Sequence, residues 1–134
     1  MDYVTDAHAL LWHLFDSRRL GPAAQSALLA GDSGVSQIYV PAVVVAEMIM
    51  VVQRGRLPAV AMPELLTQLN NMQARTSYTL LPLLPETIIG SHTFTAIPDI
   101  FDRLIVAEAR RLGLPLITRD ATIGASGLVS VVWD

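Results

Sequence analysis

The chain has 134 residues, room for one compact domain that buries roughly two thirds of its unfolded surface and too little for two ordinary ones. Hydrophobic residues make up 52% and charged ones 16%, with a mean hydropathy of +0.47, which excludes a disordered tail and a solvated coiled coil. The lack of cysteine removes disulfides, thiolate zinc sites, iron–sulfur clusters and cysteine nucleophiles, and a net charge of −3 stands against a nucleic-acid binder that works by neutralising phosphates.

Tyr3 to Thr5 reads as a short strand, followed by a helix over Ala7 to Phe15 and, after Gly21-Pro22, a second helix through Ala30, proline being suited to a first helical turn. Val35 to Val40 reads as a strand, and Pro41 then opens a strongly apolar helix that runs to about Arg54 and stops at Gly55. The longest apolar stretch, Tyr39 to Val52, has 14 residues and is interrupted by Pro41 and Glu47, short of the roughly 20 a membrane-spanning helix needs. The opening Met1-Asp2 meets no lysine or arginine before Arg18, so the charged start of a signal peptide is missing and a soluble, cytoplasmic protein is expected.

Pro63 starts a helix reaching about Ala74, with Leu65, Leu66, Leu69 and Met72 on one stripe. Tyr78 to Leu83 reads as a strand and Pro85 to Phe94 as a shorter helix. Next come Asp99 as a cap, Ile100 to Leu112 as a helix and Gly113 as its stop. Leu114 to Thr118 and Leu128 to Trp133 read as the last strands. Strands separated by helices imply βαβ units, hence an α/β domain over residues 1–134 with a parallel sheet covered on both faces. Ligands of such sheets bind beyond the carboxyl ends of the strands.

Carboxylates collect at that edge. Asp6 follows the first strand and Asp120 the strand Leu114 to Thr118, while Asp99 and Asp102 open a helix whose N-terminus points the same way. Glu47 stands inside Val43-Val44-Val45-Ala46-Glu47-Met48-Ile49-Met50, where an unpaired charge is costly to bury and calls for a cation or a buried arginine. Each has a plainer reading: Asp6 caps its helix, Asp120 makes a turn, and Asp99 caps the later helix or pairs with Arg103. For Asp102 the site reading is favoured, because a helix start already capped by Asp99 does not need it. Carboxylates with no lysine and no thiolate form a hard-oxygen set suited to Mg²⁺ or Mn²⁺, and such ions promote in-line displacement at phosphodiesters.

The opening Tyr3-Val-Thr-Asp6-Ala-His8-Ala-Leu-Leu-Trp12, the Glu47 helix, Pro98-Asp99-Ile-Phe-Asp102-Arg-Leu-Ile-Val-Ala-Glu-Ala and Leu116-Ile-Thr118-Arg-Asp120 resemble the PIN-domain ribonucleases, most closely the toxins of VapBC-type toxin–antitoxin pairs. The resemblance covers essentially the whole chain, in order. It implies a three-layer fold with a parallel, five-stranded sheet between helices. It also implies a homodimer, and a Mg²⁺- or Mn²⁺-dependent endoribonuclease silenced by an antitoxin and acting on tRNA, rRNA or mRNA. Carried over by position, Asp6, Glu47, Asp102 and Asp120 match the acidic quartet, Asp99 is an extra metal-binding acid, and Thr118 matches a hydroxyl position lining the site. Cleavage would leave a 5′-phosphate and a 3′-hydroxyl. Ile123 and Gly124 stand where many relatives carry a further acid, which implies weaker metal binding or one ion in place of two. Val43 and Val44 stand where a serine or threonine is common.

Within that frame the charge objection lapses. With the five site acids set aside, seven acids face nine arginines, a balance of +2, and no lysine occurs. Arg18, Arg19, Arg54, Arg56, Arg75 and Arg119 are candidate backbone contacts. The apolar excess predicts an exposed patch and a protein partner. Trp12, His13 and Trp133 read as core or interface residues, and His8 as a weaker candidate for substrate contact than the acids, with His92 weaker still. A receiver domain and a haloacid-dehalogenase-type phosphatase both want a site lysine that is absent. Gly-x-Gly-x-x-Gly, a Gly-Lys phosphate loop and Gly-x-Ser-x-Gly are absent too. The remaining alternative is a catalytically weak PIN-like binding or scaffold module.

Overall fold

The computed structural model describes residues 1–134. In chain order the elements are β1 (Tyr3–Thr5), α1 (Ala7–Phe15), α2 (Pro22–Asp32), β2 (Ile38–Pro41), α3 (Ala42–Gln53), α4 (Met62–Gln73), β3 (Tyr78–Leu81), α5 (Pro85–Gly90), α6 (Ile100–Leu112), β4 (Leu116–Ile117), α7 (Ala121–Ala125) and β5 (Val131–Val132). All five strands pair in parallel in the order β3-β2-β1-β4-β5, the α/β sheet that the alternating pattern predicts. No helix is long and apolar enough to cross a membrane.

The order of strands fixes where a ligand can sit. The chain lays down β1, β2 and β3 outward in one direction, then returns to place β4 on the other side of β1. The switch point therefore lies between β1 and β4, the place where open α/β sheets form a crevice beyond the strand ends. Thr5 is in register with Ile117 there, and the Asp6 amide donates to the Ile117 carbonyl at 3.1 Å. The residues leaving these two strands, Asp6 and Asp120, thus flank the crevice.

Elements with an explicit local stop match expectation closely, and the rest shift for identifiable reasons. Helix α2 runs on to Asp32, and its Ala30 carbonyl accepts the amides of both Val35 and Ser36. That capture holds the two residues out of β2 and leaves Val35 78% exposed, so the strand starts at Ile38. Pro41 closes β2 opposite Leu81 instead of opening α3. Leu66 lies off the buried stripe of α4 and is 46% exposed, since Leu65, Leu69 and Met72 suffice to bury that face. The helix expected to reach Phe94 ends at Gly90 and is followed by a short 3₁₀ turn over Ser91–Thr93. Helix α7, only five residues long, offers no apolar period for a sequence reading to find.

The core gathers 27 buried residues, including Val4, Leu10, Leu11, Ile38, Met48, Leu65, Ile105, Leu116 and Ile123. His13 belongs to the framework: its Nε2 meets Asp32 Oδ2 at 2.8 Å, and the Tyr78 hydroxyl donates to Asp32 Oδ1 at 2.6 Å, tying α1, α2 and β3 together. Gly21 holds the chain's C-terminal end. A methyl group there would run into the Trp133 backbone carbonyl, which accepts the Ala24 amide at 3.1 Å. Gly21→Ala is therefore expected to cost about 1–3 kcal/mol of stability, read as a lower urea midpoint; an unchanged midpoint would mean that the end of β5 yields freely.

Candidate active site

Asp6, Asp99 and Asp120 are each an N-cap, of α1, α6 and α7. Asp6 Oδ1 accepts the Ala9 amide at 2.8 Å, Asp99 Oδ1 the amides of Phe101 and Asp102 at 2.8 and 3.2 Å, and Asp120 Oδ1 the Ile123 amide at 2.9 Å. The capping and site readings are not alternatives, because one oxygen serves the helix and the rest of the carboxyl lines a shared cleft. Asp102 adds a side chain from the first turn of α6. Glu47 reaches the cleft from the middle of α3, and its Oε1 is buried without a hydrogen-bond partner. Asp99 does not pair with Arg103, whose Nε donates instead to the Ile97 carbonyl at 2.5 Å.

The cleft has a volume of about 570 Å³ and brings together all five acids with His8, Trp12, Arg56, Ile105 and Arg119. A smaller hollow shares His8, Glu47, Arg56 and Asp99 and extends to Arg54 and Phe101, so the two form one groove. Thr118 is fully buried behind the cleft, where its hydroxyl accepts the Asp120 amide at 3.1 Å. Trp12 was a core or interface candidate by sequence, yet it borders the cleft. Its i,i+4 spacing from His8 on α1 is the signal that places both on one face. His92 sits on the 3₁₀ turn after α5, bonded to the Ile89 carbonyl and away from the acids.

Charge in the cleft is under tension. Burial, reinforced by Asp102, Asp6 and Asp99, pushes the Glu47 carboxyl up to about 7. Burial, then Asp99, Asp120 and Asp6, pushes Asp102 up to about 6. Asp6 is also raised, chiefly by burial, with the Thr118 hydroxyl and the Ala9 amide working against the shift.

As the side chains stand, no three acidic or histidine groups close on a common point within metal-bonding reach, an arrangement expected of carboxylates that repel one another. The all-oxygen donor set and the orphaned Glu47 Oε1 nevertheless fit a hard divalent cation. The orphaned oxygen carries the greater weight, since an unpartnered buried acceptor costs free energy wherever its neighbours point.

The arginines divide cleanly. Arg18 pairs with Asp16, Arg75 with Asp32 and Arg111 with Glu108, while Arg103 and Arg110 donate to backbone carbonyls. Arg18 and Arg75, candidates for phosphate contact by sequence, are thus engaged within the protein. Arg54, Arg56 and Arg119 have no such partner, and they line the groove. Arg19, equally without one, lies over the ring of Trp12 at its edge.

The PIN domain family model matches residues 3–125, a span that includes all five acids and Thr118. The chain belongs to the PIN domain family. Solved structures with the same fold include VapBC2 from Rickettsia felis, bound to a promoter DNA fragment (TM-score 0.69, 13% identity, 100% of each chain covered). They also include VapC20 of Mycobacterium tuberculosis, described as a toxin cleaving the sarcin–ricin loop (0.68, 15%, 98% of this chain and 99% of that one). FitAcB from Neisseria gonorrhoeae is a third (0.63, 16%, 96% and 95%). No curated protein matches the chain.

In this PIN domain the raised carboxyls set a pH dependence with a definite sign. The cation-free folded protein holds a proton on Glu47 that the unfolded chain releases at its ordinary value of 4.5. Stability therefore falls as pH rises from about 4.5 to about 7 and levels off above. Mn²⁺ is expected to raise Tm more at pH 8 than at pH 5, since it needs the ionised carboxyls. Glu47→Gln should stabilise the cation-free protein at pH 8 by on the order of 1 kcal/mol after allowance for solvent screening, and diminish the Mn²⁺ effect. A thermal shift equal at both pH values would contradict this account.

Proposed function

We propose that this PIN domain is a divalent-cation-dependent endoribonuclease and acts as the toxin of a toxin–antitoxin pair. The observation that carries the reading is the distribution of free charge: of the four arginines lacking an internal carboxylate or carbonyl partner, Arg54, Arg56 and Arg119 line the groove whose centre holds the five acids, and Arg19 rests on the cleft residue Trp12. A surface that attracts phosphate on its flanks and cations at its centre suits a polynucleotide substrate.

Asp6, Glu47, Asp102 and Asp120 are the catalytic, metal-holding quartet, with Asp99 as a fifth donor at its edge. A bound Mg²⁺ or Mn²⁺ supplies polarisation of the scissile phosphoryl group and an acidified water. Asp6, Asp99 and Asp120 are oriented by the helix amides they cap, which limits the freedom lost when the site orders. Glu47 and Asp102 give up their protons as positive charge arrives. Thr118 acts as a positioning residue by holding the Asp120 amide and facing Asp6. Arg56 and Arg119 draw the backbone phosphates onto the acids, which would otherwise repel them.

The toxin reading is supported by the shared fold with VapC20, VapBC2 and FitAcB, and implies an antitoxin partner and a homodimer. Around α5, Leu83, Leu84, Ile88 and Ile89 are exposed, as are Ile100 and Phe101 at the start of α6, and exposed large apolar side chains are the kind of surface a protein partner covers. The alternative, a PIN-like scaffold with a weak site, draws support from the acids not closing on one point.

The two readings separate on a mixed tRNA and rRNA pool incubated with the purified chain in Mg²⁺, Mn²⁺ or EDTA. The expected outcome is cleavage that requires the cation and falls about a hundredfold or more in Asp6→Asn and Asp102→Asn. Thr118→Val, acting through its neighbours, should lose about 10- to 100-fold. A folded, partner-free chain that cuts nothing with either cation favours the scaffold, and cutting that survives EDTA overturns the metal mechanism.

A further inference from the structure

Cation–π contacts occur in four places in this chain, and they differ in what the guanidinium does with its N–H groups. Arg75 lies 5.5 Å from the Tyr78 ring centroid but also donates to Asp32. Arg110 lies 5.6 Å from that of Phe94 and donates to the Leu128 carbonyl. The other two share one ring: Arg19 at 5.2 Å and Arg119 at 6.0 Å from the centroid of Trp12, neither with a carboxylate or carbonyl partner. An aromatic face holds a guanidinium in place without using its hydrogen-bond donors. Both arginines are therefore positioned, exposed and fully available to an anion.

The platform itself is rigid. Trp12 is only 9% exposed, with His8 at 5.6 Å on one flank and Trp133 edge-on at 5.9 Å. Its two arginines come from distant segments, Arg19 from the 3₁₀ turn Ser17–Arg19 after α1 and Arg119 from the link between β4 and α7. Arg119 is adjacent in sequence to the cleft residue Asp120, and Trp12 and Arg119 both line the acidic cleft.

We infer that Arg19 and Arg119, seated on Trp12, form a phosphate clamp that grips the RNA strand at the margin of the acidic cleft. The inference rests on the nuclease reading for the identity of the strand. Guanidinium groups take phosphate oxygens bidentately, and two held against one ring offset the repulsion an RNA backbone meets on approaching five carboxylates. Trp12 contributes by positioning, since its ring keeps the guanidinium groups from wandering into solvent.

The test measures binding of a mixed-sequence, single-stranded oligoribonucleotide of about twelve nucleotides to the full chain in Ca²⁺, by fluorescence anisotropy across a range of KCl concentrations. Arg19→Gln and Arg119→Gln are each expected to weaken binding about fivefold or more and to flatten the salt slope by about 0.7. Trp12→Leu, which changes no charge, should weaken it as much as both arginine changes together, while Trp12→Phe keeps a ring and most of the affinity. Arg18→Gln removes the same charge from a neighbouring residue already paired with Asp16 and should stay within about twofold of the parent chain. The clamp is overturned if Arg18→Gln weakens binding as much as Arg19→Gln. It is equally overturned if the Trp12 and arginine variants bind like the parent chain, or if the parent chain does not bind the oligonucleotide. Should Trp12→Leu fail to fold, the exposed arginine variants and Trp12→Phe still decide. Binding that follows the expected pattern without any cation-dependent cleavage would sink the nuclease reading and leave the clamp standing.

Discussion

Five carboxylates share one cleft, and burying them together is the constraint on which its chemistry depends. Three helices begin there, and the amides of their first turns are aimed at Asp6, Asp99 and Asp120. Those hydrogen bonds and the positive ends of the helices stabilise negative charge at three of the five positions. Burial still raises the carboxyl of the capped Asp6, and it pushes Glu47, which stands mid-helix, up to about 7 and Asp102 up to about 6. Burial in the cleft favours the protonated form of Asp6, Glu47 and Asp102 alike, so positive charge arriving there would compete with protons.

The sheet makes this crowding possible. Parallel strands with the order reversed at β1 and β4 bring the ends of two strands to one point, and helices that return antiparallel to the strands begin at the same edge. α3 and α6 pack against one another, which brings the Glu47 and Asp102 side chains into the same cleft, close enough for the Asp102 charge to be felt by Glu47. A short chain thereby builds a polar site from residues separated by more than a hundred positions, over a core that is almost wholly aliphatic.

Around the acids the protein separates two kinds of arginine. Those on the body of the fold are tied to Asp16, Asp32, Glu108 or backbone carbonyls, and those at the groove are left free. A net charge of −3 therefore describes the whole chain poorly. Negative charge is concentrated in the cleft and partner-free arginines line the groove around it, so the average sign conceals a surface with positive flanks and a negative centre.

Much of this is legible in the sequence, for local reasons. A cap is a hydrogen bond within three residues, so Asp6 before α1 and the Asp99 to Gly113 span of α6 could be read directly from the chain. Glu47 stood out because a charge inside an apolar helix needs a partner, and the alternation of strands and helices was enough to place the crevice at the strand ends. The tertiary structure decided what depends on residues remote in sequence. It drew Val35 and Ser36 out of β2 through a helix-end carbonyl, and it added α7, too short to carry a period. It engaged Arg75 with Asp32 and Arg110 with Leu128 while leaving Arg19 and Arg119 free on Trp12. Residue type and spacing determine which groups can cap, bury or ionise, but whether a given charge finds an internal partner is settled only when distant segments meet.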